Sequence, residues 1–201
     1  MLNKNVETFI GCDAEYDEAK IVIFGAPFDS TTSFRPGARF ASKSMRSESY
    51  GIETYSPYQD KDLEDIKVFD SGDLELCFGD VNSTLNKITE RTNTILSDGK
   101  IPCMIGGEHL VTLGALRAVI EKYEDLNIIQ LDAHTDLRDD YLGQKLSHAT
   151  VMRRAWDFVG DDRIHQFGIR SGERNEFKFA SEHTNLHKYN LFGFTETLKE
   201  L

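Results

Sequence analysis

At 201 residues the chain is long enough for one α/β-sized domain with a substantial core, and it is no mini-protein that needs staples. Its 34 Asp and Glu against 23 Lys and Arg leave a formal charge of -11, which argues against a nucleic-acid surface and is compatible with a cationic substrate. Cys12, Cys77 and Cys103 are odd in number, widely spaced and in no CxxC pattern, which excludes a disulfide framework or zinc ribbon and suits a reduced, cytoplasmic setting.

The N-terminus has no apolar h-region, and no run approaches the ~18 apolar residues of a membrane span, so no export and no membrane partner are expected. Residues 19–26 read as a buried strand that breaks at Gly25 and Pro27, followed by a loop through Asp29 to Arg39. Pro36 and Gly37 can open a helix over 38–49, and Arg35, Arg39 and Arg46 are expected to tie this region to the body by ion pairs. Residues 51–64 show no clear period and read as loop or short helix. A short strand at 66–69 should end in a turn, Asp70-Ser-Gly-Asp73, whose carboxylates cap backbone amides.

Asp80 begins an amphipathic helix with Val81, Leu85, Ile88, Ile95 and Leu96 at helical spacing, and Gly99 is placed to end it. A strand at 101–105, a Gly106-Gly107 turn and a helix at 110–122 put His109 at the carboxyl end of a strand. The next strand, 126–131, runs into Asp132-Ala-His134-Thr-Asp136. A charged loop (137–147), His148 with a helix through Trp156, a strand at 163–169, a helix from Glu173, a strand at 186–189 and a helix start at Thr195 complete the chain. Strands alternating with helices predict a parallel sheet covered on both faces, with no internal domain boundary over 1–201.

Asp132, His134 and Asp136 lie two residues apart, which in extended backbone puts all three on one face. Two carboxylates and an imidazole at the end of a buried strand need a partner, because an isolated buried charge is costly, and a metal ion is an economical one. His109 in Gly-Gly-x-His is by itself a weak signal that favours a helix-capping or core histidine over a ligand. On successive strand ends the two patterns together favour metal at the sheet edge where parallel folds bind ligands. Carboxylate and imidazole without thiolate favour Mn, Fe or Mg over structural zinc, and the residue set suits a pair of Mn ions. Two metals roughly 3.5 to 4 Å apart can generate hydroxide near neutral pH, so metal-assisted hydrolysis is the reaction class.

Two segments, Ile105-Gly-Gly-Glu-His109-Leu-Val-Thr-Leu-Gly and Ile128-Ile-Gln-Leu-Asp-Ala-His-Thr-Asp136, resemble the paired N-terminal signatures of the ureohydrolases, the arginase and agmatinase family. Gly25-Ala-Pro-Phe-Asp29, Arg35-Pro-Gly-Ala-Arg39, Asp70-Ser-Gly-Asp73, Ser147-His-Ala-Thr150 and Gly168-Ile-Arg-Ser171 also look like agmatinase-type sequence, so the resemblance covers most of the chain. It implies a three-layer α/β/α arginase-like fold with a mostly parallel sheet and a dinuclear Mn(II) centre. His109 and Asp136 would bind one ion, His134 the other, and Asp132 would bridge them. A bridging hydroxide would attack the guanidinium carbon of agmatine, and the tetrahedral intermediate would collapse to urea and putrescine. Asp136 would orient the hydroxide and take up its proton, and His148 would relay a proton to the leaving amine.

The implied partners are a small cationic guanidinium substrate and further copies of the chain in a homo-oligomer. Agmatine is expected over arginine because Asp139 and Asp140, in the loop after the metal strand, repel an α-carboxylate, although Arg138 and Lys145 argue the other way. An arginase, guanidinobutyrase or formimidoylglutamase remains the alternative. Family members continue past Leu201 through a strand with an Asp-x-Asp pair that completes both metal sites. The chain therefore reads either as the N-terminal part of such an enzyme or as an inactive metal-binding or assembly module.

Overall fold

The computed structural model describes residues 2–201. In chain order the elements are β1 (Ile21–Ala26), α1 (Ala41–Ser49), β2 (Tyr55–Ser56), β3 (Lys61–Asp62), β4 (Val68–Asp73), α2 (Val81–Ser97), β5 (Ile101–Gly106) and α3 (Val111–Lys122). They continue with β6 (Ile128–Leu131), α4 (Val151–Val159), β7 (Ile164–Ile169), α5 (Arg174–His183), β8 (Asn185–Lys188) and α6 (Phe194–Glu200). The chain divides into two compact units, one ending at Ala118 and one running from Val119 to Leu201, so the division falls within α3.

In the first unit three parallel strands lie in the order β4-β1-β5. The central β1 carries Val22, Phe24 and Ala26 at 0% exposure on one face, while Ile21 and Ile23 on the other are half-buried. Asp80 caps α2 by accepting the Ser83 amide at 3.0 Å, and Leu85, Ile88, Ile95 and Leu96 form its buried stripe. Gly114 of α3 lets the two helices meet closely, since a Cβ there would fall 2.8 Å from the Ile88 Cβ. A 3-10 turn, Ala38–Phe40, leads into α1.

Two sequence expectations change in this unit. Within 51–64, residues 55–62 form a β2-β3 hairpin with Tyr55 opposite Asp62 and Asp60 at φ 50, two-residue strands being too short to print a period, while a short 3-10 helix does follow at Leu63–Asp65. The Asp70-Ser-Gly-Asp73 segment is the end of β4 rather than a separate turn. Asp70 does accept backbone amides, from Gly72 at 2.9 Å and Phe9 at 3.1 Å, but both carboxylates also take the Arg46 guanidinium. Of the three arginines, Arg39 pairs with Asp29 and Arg46 with Asp70 and Asp73, while Arg35 lies 5.2 Å over the Phe34 ring.

The second unit repeats the pattern with parallel strands in the order β6-β7-β8. Ile164, Phe167 and Ile169 of the central β7 are fully buried, and the register with β8 shifts between Phe167 and Ile169, where Gly168 takes φ 81. On α4, Val151, Met152 and Ala155 are buried. The strands are parallel as expected, but they form two three-stranded ladders, with β5 at the edge of one and β6 at the edge of the other. No helix among the described residues is long and apolar enough to cross a membrane, and Cys12, Cys77 and Cys103 are free thiols.

Candidate metal centre

In the first unit, His109 follows β5 in the turn that starts α3, and it is half-buried. Its carbonyl accepts the Thr112 amide at 3.1 Å and the Glu108 carbonyl accepts the Val111 amide at 3.2 Å, so the backbone of the turn is spent on beginning the helix. Glu108 itself is 5% exposed.

In the second unit, β6 ends at Leu131 and the residues read as ligands all lie in the segment that follows. Asp132 has both oxygens directed by neutral donors: the His134 amide reaches Oδ1 at 3.0 Å and Gln130 Nε2 reaches Oδ2 at 3.2 Å. Gln130 is oriented in turn by Gln166, whose Nε2 donates to its Oε1 at 2.6 Å and to the Thr135 carbonyl at 2.9 Å, while Thr184 Oγ1 donates to Gln166 Oε1 at 3.0 Å. This buried chain of amides fixes the carboxylate from beneath without cancelling its charge.

The segment then pairs with the end of β7. The Arg170 and Ser171 amides donate to the Ala133 carbonyl at 2.8 and 2.9 Å, and the Thr135 amide donates to the Ser171 carbonyl at 3.1 Å. His134 stays extended in a bridge to Ser171, with its side chain 63% exposed. The extension ends at Asp136, whose φ of 51 places it in the left-handed region. The two-residue period on an extended strand therefore holds only in part: the strand stops before Asp132 and Asp136 turns the chain, yet the carboxylates of Asp132 and Asp136 still come within 4.8 Å of one another, while His134 is not grouped with them. The Asp136 carbonyl accepts the Met152 and Arg153 amides at 3.0 and 3.3 Å, which fastens this turn to the start of α4.

Glu176 of α5 holds the segment that carries these candidate ligands, a contact not foreseen from the sequence. It is 5% exposed and accepts Thr135 Oγ1 at 2.6 Å, the Leu137 amide at 3.0 Å and the Glu173 amide at 2.7 Å. The capping-box spacing of Glu173 and Glu176 was visible; the reach back to Thr135 was not. Glu176→Ala is expected to leave two buried donors of this segment unmet and to cost on the order of 1–3 kcal/mol, read as a lower denaturation midpoint at unchanged slope. A midpoint equal to the parent's would show that the segment is held by its β7 contacts alone.

His148 stands at the start of a 3-10 turn, His148–Thr150, half-buried, with its ring edge-on to Tyr141 at 5.5 Å. The capping role belongs to its neighbours, since the Ser147 amide donates to Thr150 Oγ1 at 3.0 Å in a reciprocal box. The loop charges are largely engaged. Arg154 pairs with Asp139 at 2.8 Å, and that hydrogen bond holds the Asp139 carboxyl below the ordinary range. Arg138 pairs with Glu173 at 3.0 Å and Glu176 at 3.5 Å. Exposed Asp140 accepts the Gly143 amide at 3.2 Å.

Residues 19–199 match the model of the arginase family. An agmatinase of Bacillus subtilis is 45% identical over 195 residues, covering 97% of this chain and 67% of that protein. The solved structure of a Clostridium difficile protein superposes with a TM-score of 0.91 at 54% identity, covering 93% of this chain and 68% of the other. That of the agmatine ureohydrolase of Thermoplasma volcanium gives 0.86 at 35% identity, covering 98% and 67%. The chain thus spans about two thirds of the length of each relative, and its fold is the arginase-like α/β fold with parallel sheets.

Proposed function

This chain belongs to the arginase family, and from that premise we propose that it is the agmatinase-type part of a Mn-dependent enzyme that hydrolyses agmatine to putrescine and urea. The observation that carries the reading is the 45% identity to an agmatinase across 97% of the chain, a span that includes all the candidate ligands. His109, Asp132, His134 and Asp136 form an oxygen and nitrogen donor set without thiolate, which fits Mn(II). Neutral amides already orient the Asp132 carboxylate, as ligating carboxylates usually are.

In this proposal His109, Asp132, His134 and Asp136 would hold the Mn(II), with His109 and Asp136 serving one ion, His134 the other and Asp132 both. Bound Mn(II) supplies hydroxide as a nucleophile near neutral pH. Asp136 would orient the nucleophile and accept its proton. The bond from the guanidinium carbon to the alkyl nitrogen breaks as urea forms, and His148 gives the departing nitrogen the proton without which an amine leaves poorly. With Asp139 paired to Arg154 and Arg138 paired to Glu173, Asp140 is the loop charge we assign to favouring a cationic substrate tail over a carboxylate. We further propose a single domain over 1–201, a cytoplasmic location and a homo-oligomer.

Urea release from agmatine, arginine and guanidinobutyrate, measured on the protein with added Mn, tests this reading. Agmatine should be turned over with the highest kcat/KM. A preference for arginine overturns the substrate assignment, and Mn binding without urea release from any of the three makes the chain a metal-binding or assembly module.

A further inference from the structure

The loop between β1 and α1 and the turn that carries His109 are built as one object. The Ala26 carbonyl accepts the Gly107 amide at 3.0 Å, and the Phe28 carbonyl accepts the Glu108 amide at 2.7 Å. Only glycine permits this approach, since a Cβ on Gly107 would lie 2.0 Å from the Phe28 oxygen. The Glu108 carboxylate then reaches into the loop. It accepts the Thr31 amide at 2.9 Å on Oε1 and the Thr31 hydroxyl at 2.6 Å on either oxygen.

The rest of the loop closes on a second buried acid. Asp29, 5% exposed, accepts the Gly37 amide at 2.7 Å and the Arg39 side chain at 3.0 Å. Burial works against its ionisation, but these hydrogen bonds prevail and hold its carboxyl below the ordinary range. Residues 29–39 are thus pinned at their ends by Asp29 and near their start by Glu108, and they project an exposed tip at Phe34 and Arg35. A carboxylate buried beside a ligand residue is costly unless its hydrogen bonds are used.

We propose that Glu108 is a positioning residue: its clasp on Thr31 makes the order of loop 29–39 and the presentation of His109 a single property, so that ordering one orders the other. The metal half of this inference rests on the function proposed above; the loop half does not.

The test compares Glu108→Ala, Glu108→Gln and Thr31→Val in the full chain by amide hydrogen exchange, with Mn2+ affinity measured by titration calorimetry. Glu108→Ala should lose protection selectively over 29–39, keep it in α2, and weaken Mn2+ binding by roughly 10- to 100-fold, the usual cost of losing support behind a ligand. Glu108→Gln, whose amide oxygen can still accept from Thr31, should restore most of both. Thr31→Val, which keeps only the amide donor, should fall between them and carries the test if Glu108→Ala does not fold. Unchanged protection over 29–39, or lost protection with unchanged Mn2+ affinity, overturns the proposal. If the parent protein binds no Mn2+, the proposed function fails instead. The clasp is then judged by exchange alone: selective loss supports it and no loss refutes it.

Discussion

On the proposed function, His148→Ala should lower kcat for agmatine by ~10²- to 10⁴-fold, or about 3 to 5 kcal/mol of barrier, while Mn content and fold stay as they were. The expectation rests on what the neighbours of His148 do in the structure. Ser147 and Thr150 cap the turn reciprocally, so the imidazole is not needed to start the helix. Its ring rests against Tyr141, beside the loop charges that the substrate tail is proposed to meet. Asp132→Ala should behave differently, losing bound metal together with turnover, because it removes a proposed ligand and the acceptor of both the His134 amide and Gln130. Asp132→Asn separates the two losses: it keeps the shape and an acceptor oxygen but removes the charge, and should also release metal. Near-normal turnover in His148→Ala would send the leaving-group proton through water or Asp136 and end the assignment.

The candidate metal residues stood out in the sequence because their types conflict with their surroundings. Asp132, His134 and Asp136 close an apolar run, and so dense a set of ionisable groups has few structural uses. Gln130 carried a similar signal, being the one amide in Ile-Ile-Gln-Leu, yet its bond to Gln166 joins strands 36 residues apart and no local pattern announces it. Glu176 was hidden for the same reason, since a capping box explains its position without hinting at Thr135, 41 residues back. The Asp136 turn was invisible because a period of two assumes an extended chain, and only the carbonyl contact to α4 shows why it bends. Asp70 was seen as a cap and Arg46 as a tether; that they are each other's partner is a tertiary fact.

That partnership yields the largest stability effect expected. Arg46→Ala should destabilise the fold by about 3–5 kcal/mol, the cost of breaking a buried pair and leaving its acid behind. Arg46 is 3% exposed and Asp70 0%, and the guanidinium meets Asp70 through Nε at 2.8 Å and Nη2 at 3.0 Å while Nη1 reaches Asp73. Burial alone would depress the arginine's pKa, but the hydrogen bonds and charges of the two aspartates outweigh it and raise it. The fork matters as much as the charge. Arg46→Lys puts one ammonium where three directed donors stood, so it should recover only part of the loss. Combining Arg46→Met with Asp70→Asn removes both charges and should be less destabilising than Arg46→Ala, since the fully buried carboxylate goes with its partner. The double variant should still fall short of the parent, because Asp70 also receives the Phe9 and Gly72 amides, and an asparagine has one acceptor oxygen for the two. Denaturant midpoints for the three variants decide it. A loss below about 1 kcal/mol in Arg46→Ala, the range of an exposed ion pair, would mean that α1 is held to β4 by packing and that the buried pair contributes no more than a surface one.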